Sequence, residues 1–176
     1  MAAGAAAPLT LTLPTWWPRV LGLLLSLWVT LPGVVRPGEP GFLGNVNLIF
    51  HEAGHVLLMW AGEVVMLLGG SLFQLLVPAA CIGLFLARGE RFAAGLVTLW
   101  LAHSLAGVSA YVADAPLREL PLITGDPDTH DWWQLFTIWD ALDAAPGLGR
   151  FLHALALGAV VVGIFVALWD DLKEKE

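Results

Sequence analysis

VVMLLGGSLFQLLVPAACIGLFLA, residues 64–87, carries no charged side chain from end to end. A bilayer core of about 30 Å is crossed by about 20 apolar residues in an α-helix. The apolar residues run continuously and do not alternate, which excludes the strands of a membrane β-barrel. Working outward, residues 20–35, 92–113 and 151–169 are also free of charge. Trp16 and Trp17 precede the first of these runs, as interfacial anchors do. Residues 42–62 are apolar apart from a few polar positions, His51, Glu52 and His55 above all.

The expected fold is therefore all-α: a single domain over residues 1–176, a polytopic bundle of about five transmembrane helices. Their expected bounds are about 16–35, 42–62, 64–87, 92–113 and 151–169. The turn between the second and third falls either at Ala61-Gly62-Glu63 or at Gly69-Gly70-Ser71. Glu63 suits a turn because a charge in mid-membrane is expensive, and Gly-Gly is an equally good breaker. Residues 114–150 form one long extramembrane or re-entrant segment. It is rich in acids and carries the aromatic cluster Trp132, Trp133, Phe136 and Trp139. The alanine-rich start, residues 2–7, reads as a loose terminus, and residues 170–176 as a solvated end. No basic residue precedes Arg19, which argues against a cleaved signal peptide.

Composition agrees with a bilayer protein. The hydrophobic class makes up 58% of the 176 residues and charged residues 13%, where a soluble domain has about 25% charged. Disorder is excluded by the same figures. A net charge of −7 argues against a nucleic-acid partner, which selects a basic face. Cys81 is the one cysteine, so neither an intrachain disulfide nor a thiolate pair for a metal can form. Lys and Arg counts favour a cytoplasmic C-terminus: Arg36, Arg88, Arg91, Lys173 and Lys175 on one side, Arg19, Arg118 and Arg150 on the other.

The chemistry lies in residues 45–55, NVNLIFHEAGH, which contain the pattern H-E-x-x-H. On a helix, positions i and i+4 share a face, so His51 and His55 can reach one metal ion. Glu52 can then act as general base on a water activated by that ion. Two histidines and a glutamate inside an apolar span are costly and point to function. The plainer reading is a pair of core histidines bonded to neighbouring helices.

Through His51, Glu52 and His55 the chain resembles the site-2-protease-like intramembrane zinc metalloproteases, as a small, divergent relative. The resemblance is tight over about one helix. It implies Zn2+, with His51 and His55 as ligands and Glu52 as catalytic base. It also implies a membrane-protein or peptide substrate. The expected location is the plasma (inner) membrane of a prokaryote, as a multi-pass protein in the lipid bilayer. Those proteases draw a third ligand from an Asp-Gly pair after an unwound stretch, and no Asp-Gly pair occurs here.

A catalytic zinc takes three protein ligands, and the candidates for the third are Glu63, His103, Asp114, Asp126, His130 and Asp131. Glu63 lies about 12 Å along the axis from His55 if the helix continues. His103 sits midway along its helix, where a lone histidine often bonds a neighbour. His130 follows a proline-bearing extended stretch and precedes the aromatic segment, where the family's second motif would stand. It is the favoured third ligand, with Asp114 next. Asp131 or Asp126 can act behind it, fixing an imidazole tautomer. Gln74 either binds a substrate backbone or joins helices, and Gly69 and Gly70 allow close approach. Two other functions compete: a zinc hydrolase of lipid amides or esters, and a membrane metal-binding or transport protein. A catalytically dead scaffold is a further reading. The sequence leaves the oligomeric state open.

Overall fold

The computed structural model of the chain describes residues 16–39 and 41–173. The alanine-rich start and residues 174–176 lie outside them. The described residues form α1 (Trp17–Val35), α2 (Gly41–Leu58), α3 (Glu63–Ala87), α4 (Arg91–Asp114), α5 (Asp131–Ile138) and α6 (Ala145–Lys173). Short 3-10 turns stand at Met59–Ala61, Pro127–Thr129 and Leu142–Ala144. No strand occurs among the described residues.

Four helices are long and apolar enough to cross a membrane: α1, α3, α4, and α6 together with its lead-in from Leu142. A fifth, expected over α2, is not among them. Its 18 residues include Asn45, Asn47, His51, Glu52 and His55, and these lower its hydropathy below that of the others. The residues that make α2 chemically interesting are those that separate it from the apolar spans.

The turn between α2 and α3 falls at Gly62, whose φ of +95° suits a residue without a Cβ. Gly69 and Gly70 lie inside α3 and are buried. The expected loop at 114–150 is partly helical: α5 occupies its middle, and α6 begins at Ala145, ahead of the expected 151. His130 starts α5 by accepting the Trp133 N–H on its side chain at 3.2 Å. That satisfies one of the orphan donors of a helix N-terminus.

α4 is the central helix, packed along α1, α3 and α6. One apolar cluster joins Leu67, Val108 and Val112 to Trp132, Leu135 and Phe136, which seats α5 against α3 and α4. Trp132 also donates its indole N–H to Ser71 Oγ at 3.0 Å. α5 is thereby anchored beside Gly70, with its first residue, Asp131, turned into the bundle.

Candidate metal centre

α2 and α3 approach through glycine. A Cβ on Gly54 would run into the Gly69 carbonyl, and one on Gly69 would lie 2.7 Å from the Gly54 oxygen. Small residues at a helix contact let backbones close up where the bilayer offers no hydrophobic drive. The contact brings His51 and His55, one turn apart on α2, up to the α3 backbone.

Three side chains converge there. His51 Nε2 lies 3.0 Å from Asp131 Oδ2, and His55 Nε2 lies 3.3 Å from the same oxygen. Among the described residues, His51, His55 and Asp131 form the group able to hold a metal ion, one ligand atom from each lying within 4.8 Å of the others. His51 and Asp131 are buried, and His55 is half-buried.

Hydrogen bonding fixes the polarity of this cluster. His55 Nδ1 lies 2.8 Å from the Met66 carbonyl oxygen. An oxygen acceptor requires Nδ1 to carry the proton, so in neutral His55 a lone pair stands on Nε2. That lone pair faces a carboxylate oxygen across 3.3 Å. Two acceptors at this distance repel unless positive charge lies between them, as a proton or a metal cation. An imidazole held by its far nitrogen is the usual second support of a ligating histidine.

Asp131 is held in turn by Tyr111. The Tyr111 O–H donates to Asp131 Oδ2 at 3.2 Å, and the Asp131 N–H donates to Tyr111 Oη at 3.0 Å. Burial raises the Asp131 carboxyl pKa, but hydrogen bonds from His51, and from His55 when a proton sits on its Nε2, lower it by more, to about 2. The group is a carboxylate at neutral pH, as a metal ligand must be.

His51, Glu52, His55, Tyr111 and Asp131 all line one cavity of about 500 Å³. It continues under the segment Leu120–Thr124 toward Gly33 and Gly38 at the end of α1. Glu52 is half-buried in its wall. The cavity is of a size that holds a small ligand or a few residues of chain.

The structure does not bring His130 or Asp114 to the two histidines. His130 Nδ1 is occupied by the Trp133 N–H, so in the neutral ring the proton is on Nε2. Nε2 is fully buried, faces Asp114 Oδ2 across 3.4 Å and makes no hydrogen bond. Burial pushes the His130 imidazole below its ordinary pKa, against the pull of Asp114 and Asp131, and keeps it neutral. A nitrogen that carries its proton offers a metal no lone pair. Asp114 accepts the backbone N–H groups of Glu119 and Leu120, both at 3.0 Å, and ties down the chain after α4. In this arrangement the third position beside the histidines belongs to Asp131, one residue past His130.

The other candidates have structural partners. Glu63 is exposed at the start of α3. Asp126 is exposed and caps the 3-10 turn through the Asp128 N–H at 2.9 Å. His103 Nδ1 accepts from Asn47 Nδ2 at 3.1 Å, while Asn47 Oδ1 accepts from Trp100 Nε1 and Ser104 Oγ. Gln74 donates to the Ser104 carbonyl at 3.2 Å, joining α3 to α4, and also borders the cavity.

Sequence pattern alone singles out neither Asn47, which ties α2 to α4, nor Tyr111, which holds Asp131. Each left a trace: Asn47 stands four residues before His51, on the same helix face, and Tyr111 is the one tyrosine of the chain. No family model, curated protein or solved structure matches this chain.

Proposed function

We propose that this protein is a membrane-embedded metallohydrolase, a zinc peptidase of the H-E-x-x-H type that acts on peptide bonds in or near the bilayer. The observation that carries the reading is the convergence of His51, His55 and Asp131 in a cavity that Glu52 also lines. Two imidazoles and a carboxylate form a donor set that suits zinc and leaves a coordination position open. The contact between His55 Nε2 and the Asp131 carboxylate calls for positive charge, which a metal cation supplies as a proton does.

When bound, zinc polarises a carbonyl and lowers the pKa of a water to about 7. The protein's own groups do the rest. Met66 and Tyr111 hold His55 and Asp131 in place. Glu52 takes the proton of the attacking water and returns it to the leaving amine. The substrate enters extended or locally unwound, because a helix keeps its carbonyls in its own hydrogen bonds. In this reading α2 also lies within the bilayer, as a fifth membrane segment whose polar face is turned to the cavity.

Glu52→Gln tests the assignment. Gln fills the same space and accepts no proton at neutral pH. Purified full-length protein in detergent micelles, given a library of quenched hydrophobic peptides, is expected to lose about 10²–10⁴-fold in cleavage rate with its zinc content unchanged. Wild-type cleavage in Glu52→Gln would reject the hydrolase and favour metal binding or transport, which needs no base beside its ligands. Cleavage of lipid amides or esters, with peptides untouched, would change the substrate class and keep the mechanism.

A further inference from the structure

A Cβ built on Gly70 would lie 2.5 Å from His51 Nε2, 2.5 Å from His55 Nε2 and 2.6 Å from His51 Cε1. These are its three nearest neighbours, and all belong to the two imidazoles. Elsewhere in α3 the same operation gives a different answer. At Gly69 the obstacle is the backbone of Gly54, and at Gly83 nothing lies within 4 Å. Gly70 is therefore set apart by the atoms it faces.

We propose that Gly70 determines whether this cluster can hold a metal: its missing side chain reserves the space at which the two Nε2 atoms converge. The proposal rests on the metal-site reading above. Zinc sits about 2.0–2.1 Å from an imidazole nitrogen, so a methyl group 2.5 Å from both nitrogens competes for the volume the ion needs. The location agrees with how α3 serves the site. Met66, one turn before Gly70, supplies the carbonyl that orients His55, and Ser71, the next residue, anchors Trp132 of α5. One stretch of α3 thus orients a ligand, leaves room for the ion and positions the helix that carries Asp131. Within the H-E-x-x-H helix itself nothing reports this requirement, because the obstacle to be avoided comes from the facing helix.

The test is Co2+ titration of the purified full-length chain in detergent, read by visible absorption, with Zn2+ as competitor. Wild type, Gly70→Ala and Gly83→Ala are compared. Ala is a better helix former than Gly, so Gly83→Ala controls for propensity. Gly70→Ala is expected to weaken Co2+ binding at least about 100-fold, beyond the usual effect of changing a residue behind a ligand. Gly83→Ala is expected to bind as wild type does. Equal binding by Gly70→Ala and wild type overturns the proposal.

Thermal unfolding of Gly70→Ala is measured in the wild-type background and in His51→Ala/His55→Ala. A loss of stability confined to the background that keeps both imidazoles supports the proposal. The same loss in both backgrounds overturns it, because the glycine then serves helix packing alone. A wild type that takes up no Co2+ rejects the metal site itself. That result is distinct from a wild type and a Gly70→Ala that bind alike.

Discussion

At the contact between α4 and α6, a Cβ on Gly95 would meet Ala167 Cβ at 2.6 Å and the Gly163 carbonyl oxygen at 2.6 Å. At the contact between α2 and α3, one on Gly70 would meet two imidazole nitrogens. Both contacts use glycine where a side chain would not fit. In the first, the neighbours are backbone and a methyl group, and closeness serves packing. In the second, the neighbours are polar atoms aimed at a shared point, and closeness leaves a defined space among them. Small residues in a membrane helix have two uses, and only the atoms opposite tell them apart.

The two regions also differ in how they treat polar groups. On the α6 side a half-buried polar group meets a single structural partner. His153 Nε2 donates to the Val34 carbonyl at 2.9 Å and occupies an oxygen near the end of α1. The α2–α3 side gathers an imidazole pair and a phenol around one carboxylate oxygen.

The packing role is tested most sharply at Gly95. Gly95→Ala forces α4 from α6 and is expected to cost about 1–3 kcal/mol, as overpacking does, in detergent unfolding. The fraction that remains folded is expected to bind Co2+ as wild type does. Loss of metal from folded Gly95→Ala would show that the two contacts are one mechanical unit.

A smaller effect is expected at Tyr111. Tyr111→Phe keeps the ring but removes both the donor to Asp131 Oδ2 and the acceptor of the Asp131 N–H. Tyr111 is a positioning residue, so the expected result is metal affinity lower by about 10–100-fold together with an altered Co2+ spectrum. An unchanged spectrum and affinity would mean that the N-terminus of α5 holds Asp131 without help.

The smallest effect is expected at His130. His130→Ala removes the side-chain cap of α5 and is expected to cost about 0.5–2 kcal/mol of stability, read by thermal unfolding, with metal binding retained.

The sequence makes the helical class and the His51-Glu52-His55 group legible because both are local. A charge-free run of membrane length is complete within itself, and i, i+4 spacing sets a shared face without help from elsewhere. The third position is not local. It depends on the rotation of α5, which follows from the seating of Trp132 on Ser71 and from the two hydrogen bonds between Tyr111 and Asp131. These contacts turn Asp131 inward, while His130 caps the Trp133 N–H at the helix terminus, so one residue of register separates the group beside the histidines from the cap. α2 shows the opposite failing: its polar residues reveal the site and, by the same chemistry, keep its composition below that of a membrane span.

The central claim is that His51, His55 and Asp131 hold one metal ion together. Metal analysis of the purified full-length chain, beside Asp131→Ala and His130→Ala, tests it directly. About one zinc per chain is expected in the wild type, as a three-ligand catalytic site holds, with that zinc lost in Asp131→Ala and fully retained in folded His130→Ala. A wild type without zinc, or an Asp131→Ala variant that keeps it, would show that the three side chains hold no common ion.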